Sequence, residues 1–296
     1  MTAAAAEKIL RRANEVGVEV WLQAADVDGA ATFGIGADTP VVTASVFKIP
    51  IALELARQAA EGLRDLGDRI AVPPGHPTPS PYGFATFRHE VVMSWHDLAI
   101  LMIGISDNVA TDLILAEIGK DSVNATLRRL GLTQTAVPQD CAELLATIGE
   151  DLGVAYEDDE RLLSELAYEQ VSGLRALQPE NTCRTTPAEM TRLLGLIWRD
   201  EAAPAAACAD VRHWTGLQVW PHRLRAGFPD DRIRTSGKTG TLPAVRNEVG
   251  VVEYPDGGRY AVSVFTRAED SRSRVPDRDA FIGFAAATAV DALRTA

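Results

Sequence analysis

Lysine is nearly absent from the 296-residue chain: only Lys8, Lys48, Lys120 and Lys238 occur among its 29 basic residues. Arginine carries the rest of the positive charge, so lysine is expected where arginine cannot substitute. An amine can lose its proton and act as a base, whereas a guanidinium cannot. Cysteine is scarce too. Cys141, Cys183 and Cys208 are odd in number and have no C-x-x-C spacing, which excludes a disulfide framework or zinc cluster and predicts free thiols in a reducing compartment. The five histidines, at 76, 89, 96, 213 and 222, show no H-x-x-x-H spacing, so neither a metal nor a cofactor is expected. No basic run exceeds two residues and the net charge is −12, which argues against nucleic acid and anionic membrane as partners. No apolar run approaches the ~20 residues that span a bilayer. The stretch from Met1 to Arg12 lacks the charged start and apolar centre of a secretory signal, so the expected location is cytoplasmic.

What is present is ordinary globular material, 46% hydrophobic and 24% charged, enough for one domain over 1–296. After an amphipathic opening helix, Val18 to Gln23 and Ala31 to Ile35 read as strands around an Asp28-Gly29 turn. Ser45 to Ala60 is helical, and five prolines between Pro73 and Pro81 make an extended loop. Ser94–Ile105, Ala110–Ile118 and Ser122–Leu130 read as helices, the last two closed by Gly119 and Gly131. Glu143 to Arg175 is helical and acidic, centred on Glu157-Asp158-Asp159-Glu160, and Pro187–Trp198 is a further helix. The last third changes period: strands are expected over 232–242, 249–254 and 260–266, then a helix over 280–293. This predicts an α/β (α+β) fold with an antiparallel sheet built from both termini and flanked by helices. The α/β lobe would comprise about 1–44 and 205–296, with an inserted all-helical lobe over about 45–204.

Three short motifs carry the chemistry. Ser45-Val46-Phe47-Lys48 opens a predicted helix, Ser106-Asp107-Asn108 follows a buried one, and Lys238-Thr239-Gly240 lies on a predicted strand. Ser45 and Lys48 share a helix face, so the amine can reach the hydroxyl and activate it as a nucleophile. Burial beside a second cation, Lys238, would lower the amine's pKa. Pro50 removes an N–H from the first turn, which predicts an irregular start to the helix and an exposed hydroxyl.

S-x-x-K, S-D-N and K-T-G in this order resemble the class A β-lactamases and penicillin-binding proteins over nearly the whole length. The resemblance implies a serine hydrolase that forms an acyl-enzyme on a small molecule carrying an amide, ester or β-lactam. It assigns Ser45, Lys48, Ser106 and Lys238 as catalytic, with Ser106 relaying a proton to the leaving nitrogen. Asn108, Thr239, Gly240 and Thr241 would bind substrate, the N–H groups of Ser45 and Thr241 forming the oxyanion hole. Asp107 would hold the turn, and Gly240 would be glycine because substrate lies against its strand. Tyr82, Phe84, Trp214 and Trp220 are candidate cleft or core residues.

One departure from the family stands out. The E-x-x-L-N loop, whose Glu and Asn hold the deacylating water, should fall near residue 141, where the chain reads Cys141-Ala142-Glu143-Leu144-Leu145. Cys141 then replaces the base and Leu145 the Asn. Glu143 is the remaining candidate for a deacylation base, against its alternative as a helix-terminal carboxylate. The landmark Thr185-Thr186-Pro187 comes later than the family pattern has it, so the acidic segment 143–181 replaces the usual loop. Hydrolysis, transfer of the acyl group to an amine by a biosynthetic transacylase, and a penicillin-binding-like protein with little turnover all stay open, as does the oligomeric state.

Overall fold

The structure, a computed structural model, describes residues 2–154, 167–270, 272 and 275–295. Helix α1 (Thr2–Val16) turns Ile9 and Ala13 inward and leads into the hairpin β1 (Val18–Asp26) and β2 (Thr32–Ile35). After the short β3 (Val41–Val42), one 3₁₀ turn, Ala44–Phe47, runs directly into α2 (Lys48–Ala60). Strands β4 (Arg69–Val72) and β5 (Val91–Ser94) flank the proline-rich loop. Then come α3 (Trp95–Gly104), α4 (Asn108–Ile118), α5 (Lys120–Arg129) and α6 (Cys141–Leu152). The short α7 (Tyr168–Ser172) and β6 (Arg184–Thr185) precede α8 (Pro187–Trp198) and α9 (Ala205–Gly216). Strands β7 (Arg234–Leu242), β8 (Val245–Glu253) and β9 (Arg259–Ala268) and helix α10 (Pro276–Arg294) complete it.

The main sheet has the order β2-β1-β9-β8-β7, with every neighbour antiparallel. It joins both ends of the chain, as the strand pattern predicts. Its central strands are nearly all buried because both faces are covered. On one face α1 and α10 pack Ile9, Phe281, Ile282 and Ala285 over Leu22 and Val262. On the other, α8 lies along β1 and β9, with the helices around α2 beyond it. Leu53, Leu98, Met102 and Trp214 fill that second core. Among the described residues no helix is long and apolar enough to cross a membrane.

The intervening region is not purely helical. It holds the two-stranded ribbon β4–β5 and the strand β6, which pairs with β3, and runs of two to four residues hide these from periodicity. Helix α9 was not expected either. Its inward residues Ala207, Cys208, Val211 and Trp214 do have helical spacing, and Pro204 precedes them. It packs on α2 and β7 and so delivers residues 217–223 to the edge of the sheet. The helix expected over Glu143–Arg175 stops at Leu152, where Gly153 takes a left-handed φ of 67°. The acidic run Glu157–Glu160 lies outside the described residues.

Candidate active site

The 3₁₀ turn sets the first pair. Side chains three apart eclipse one another in a 3₁₀ helix, and the Lys48 N–H donates to the Ser45 carbonyl, so Lys48 stands beside Ser45. Ser45 is half-buried and Lys48 is 0% exposed. Ala44, the residue before the serine, has a φ of 45°, a left-handed conformation that non-glycine residues adopt at a cost. The turn is held from outside: Asn247 Nδ2 donates to the carbonyls of Val42 and Thr43, and Thr43 N–H and Oγ1 donate to the Cys183 carbonyl.

Lys48 reaches across to the second motif. Its Nζ donates to the Ser106 carbonyl at 2.8 Å and to Asn108 Oδ1 at 2.7 Å, and lies 3.2 Å from Ser106 Oγ. Ser106 presents both its oxygens because its φ is 66°, a second left-handed non-glycine residue in the site. Asp107 points the opposite way. It accepts from the N–H groups of Val109 and Ala110 at the start of α4 and from Phe84 N–H in the proline-rich loop. It is a structural cap, as expected. Burial is the leading cause that lowers the Lys48 pKa. For Lys238, also 0% exposed, burial comes first and the charge of Lys48 second, and together they push its pKa far down.

Lys238 and Thr239 lie on β7, the free edge of the sheet, and Lys238 Nζ donates to the Thr239 carbonyl at 2.9 Å. Thr239 N–H does not go to β8: it donates to Gln218 Oε1 at 2.6 Å. Alternate residues of an antiparallel edge strand point their N–H groups the same way. Thr241 N–H therefore also points out of the sheet, on the side where a substrate can meet it. Gly240 needs a different explanation from the expected one. A Cβ there would lie 2.6 Å from the Thr43 carbonyl oxygen and 3.3 Å from Ser45 N. Glycine is required because the strand presses on the nucleophile's own turn.

Three residues absent from the motifs complete this wall. Arg223, 4% exposed, donates to the carbonyls of Gly240 and Asn247 and to Thr241 Oγ1, and its Nε pairs with Asp279. Glu248, opposite Thr239 on β8, accepts from Gln218 Nε2 and Leu224 N–H, each at 2.6 Å. Gln218 thus bridges Thr239 and Glu248. The one sequence signal was the polar pair Asn247-Glu248 in the middle of a valine-rich strand.

Burial pushes the Glu248 carboxyl up to about 7, against the lowering influence of Leu224 N–H, Arg223, Gln218 and Lys238. The folded state therefore holds this proton more tightly than the unfolded state, whose value is near the ordinary 4.5. Its contribution to stability is full at acid pH and is lost as pH rises from about 4.5 to about 7. The loss is on the order of 3 kcal/mol. Denaturant titrations across this range should show the decline in the wild type and a flatter profile in Glu248→Gln. An equal slope in both would refute the assignment.

The loop region behaves unlike a water site. Cys141 is buried, its N–H donates to Asp112 Oδ1, and burial raises its thiol pKa well above the ordinary value. The thiol is close enough to Lys48 for the two to influence each other's charge. Leu145 is 8% exposed and belongs to an apolar cluster with Leu144, Ile148, Leu174 and Leu177. Glu143 corrects the expectation of a swinging base. It closes a capping box with Asp140 and pairs with Lys120 at 2.7 Å on the surface, which lowers its pKa. Asp112 holds the start of α6 through the N–H groups of Cys141 and Ala142, and accepts from Thr78 Oγ1.

The model of the beta-lactamase enzyme family matches residues 3–293. The beta-lactamase regulatory protein BlaB of Streptomyces cacaoi is 30% identical over 278 residues, 88% of each chain. The extended-spectrum beta-lactamase PER-1 of Pseudomonas aeruginosa is 25% identical over 77% of this chain and 69% of its own. Among solved structures, a beta-lactamase from Sphaerobacter thermophilus superposes with a TM-score of 0.78 at 24% identity, covering 99% and 98% of the two chains. A mutant of PBP-A in acyl-enzyme complex with penicillin G also scores 0.78, at 19% identity, covering 100% and 98%. These structures share the fold. With one family matched almost from end to end, the chain belongs to the beta-lactamase enzyme family of serine hydrolases.

Proposed function

We propose that this chain forms a covalent ester between Ser45 and the acyl part of a small molecule carrying a β-lactam, amide or ester, and that the ester is long-lived. The observation that carries the reading is buried Lys48, one turn from Ser45 and hydrogen-bonded to both Ser106 and Asn108. Burial favours the neutral amine, which can donate to the Ser106 carbonyl and Asn108 Oδ1 and still keep a lone pair. Ser45 Oγ bonds to the carbonyl carbon as its proton passes to Lys48. The oxyanion is met by the N–H groups of Ser45 and Thr241. The C–N or C–O bond then breaks, and the proton returns from Lys48 through Ser106 Oγ to the leaving atom. A substrate carboxylate would bind Lys238 and Thr239, and its charge would draw the Lys238 pKa back up.

The second half-reaction lacks its usual support. By the match to the E-x-x-L-N pattern, a buried thiol whose pKa is raised and a buried leucine replace the Glu and Asn that hold the water, and Glu143 pairs with Lys120. A long-lived adduct is the consequence. Acyl transfer to an amine is the alternative that these same residues favour. An amine that speeds turnover and appears in the product would establish it. Incubation with a fluorescent penicillin followed by intact mass should show one adduct that Ser45→Ala abolishes. An adduct retained in Ser45→Ala would refute Ser45 as the nucleophile.

A further inference from the structure

Strand β7 is the last of its sheet, and at Thr239 one side chain takes the place of a further neighbour. Thr239 N–H points outward and donates to Gln218 Oε1 at 2.6 Å. The other end of the same amide is committed as well. Gln218 Nε2 donates at 2.6 Å to Glu248 Oε1, and Glu248 Oε2 accepts from Leu224 N–H at 2.6 Å. Glu248 is 2% exposed and stands opposite Thr239 on β8. An unbroken line of hydrogen bonds therefore runs from the backbone of the substrate strand to a buried carboxyl. The charged groups around that carboxyl are Lys238 on β7 and Arg223, whose guanidinium is itself paired with Asp279 of α10. No step of acylation uses Gln218 or Glu248 directly.

We propose that Gln218 and Glu248 are positioning residues for acylation: Glu248 fixes which way the Gln218 amide faces, and the amide oxygen holds the Thr239–Thr241 edge in line with Ser45. This rests on the acylation reading above and concerns what controls that same site. An amide offers an acceptor at one end and donors at the other, whereas a carboxylate only accepts. Ionised Glu248 therefore takes the NH2 end and leaves the oxygen for Thr239 N–H. Neutral Glu248 carries a hydroxyl that needs an acceptor of its own. Both groups bonded to it, Gln218 Nε2 and Leu224 N–H, are donors. The backbone N–H is fixed, but the amide can turn over. A turned amide gives its oxygen to Glu248 and sets its NH2 against Thr239 N–H, donor against donor. The edge then loses its tether two residues from the oxyanion donor Thr241 N–H, while Arg223 still holds Gly240 and Thr241. One such bond is worth about 2- to 12-fold. Glu248 takes up its proton at about 7, so the tether is present above that pH and lost below it.

The test follows Ser45 adduct formation with a fluorescent penicillin by time-resolved intact mass, at pH values below and above about 7. It uses the wild type, Glu248→Gln and Gln218→Ala. In Glu248→Gln the side-chain oxygen is taken by Leu224 N–H, so the new NH2 needs the Gln218 oxygen at every pH and reproduces the neutral acid. In Gln218→Ala the tether is gone at every pH. Each variant should match the wild type on the acid side and be about 2- to 12-fold slower on the alkaline side. Taking the ratio of wild-type to variant rate at each pH cancels the titration of Lys48, which all three proteins share. A merely structural role would slow a variant equally throughout. A ratio that does not rise with pH, for either variant, would overturn the proposal and leave acylation standing. No adduct on the wild type at any pH would overturn both.

Discussion

Lys48→Met is expected to slow acylation of Ser45 by about 10²- to 10⁴-fold, the usual worth of a general base. The substitution keeps side-chain length at a position that is 0% exposed, so the core stays filled. It leaves Ser106 O and Asn108 Oδ1 without their donor, a loss of about 1–3 kcal/mol that is partly offset because a buried amine no longer has to be desolvated. Lys48→Arg separates charge from basicity. A guanidinium can supply a cation and hydrogen bonds but cannot take the serine proton, so it should be as slow as the methionine variant. The rate of adduct growth under single-turnover conditions reads both. If Lys48→Arg reacts at the wild-type rate, Lys48 acts only as a cation and the base lies elsewhere.

Gly240→Ala should be almost as damaging, for a reason unrelated to substrate. The new methyl would sit 2.6 Å from the Thr43 carbonyl and 3.1 Å from the Ala44 Cβ. Both neighbours belong to the backbone turn that carries Ser45, and Asn247 and Cys183 already tether that turn, so it cannot give way cheaply. Overpacking of this kind costs about 1–3 kcal/mol of stability. Shifting Ser45 N–H relative to Thr241 N–H also spoils an oxyanion site, where one misplaced donor costs about 10²- to 10³-fold. Acylation should fall by about 10²-fold while thermal unfolding stays cooperative. If the turn and strand are independent, the variant will acylate normally, and the coupling of Gly240 to the nucleophile is wrong.

The residues legible in sequence were those whose chemistry imposes a fixed local spacing. Ser45 and Lys48 must share a turn, Ser106 and Asn108 must flank a helix cap, and Lys238 must precede a close-approach glycine. The structure brings Lys48, Ser106 and Asn108 together by hydrogen bonds and sets the Gly240 strand against the Ser45 turn. Periodicity also gave the sheet and the bounds of α8, whose apolar stripe is uninterrupted. What stayed hidden depends on contacts between distant segments. Arg223 acquires its role only when residues 217–223 meet β7, and Glu248 only because both sheet faces are covered. Tyr82 and Trp220 are far apart in sequence and adjacent in space. The reason for Gly240 was misread since no local pattern shows that Thr43 lies across from it.

Departures from the family pattern proved as informative as the matches. Cys141 and Leu145 could have been compensated by Glu143, two positions from the expected base. Its capping box with Asp140 and its pairing with Lys120 instead turn it to the surface.

The lifetime of the Ser45 adduct tests this account most directly. After brief exposure to a penicillin and removal of the excess, intact mass followed over time should show an adduct that persists for hours in plain buffer and never forms in Ser45→Ala. Loss of the adduct within seconds, with hydrolysed penicillin released, would mean that an efficient deacylating base exists. It would contradict the assignment of Cys141, Glu143 and Leu145 to structural roles.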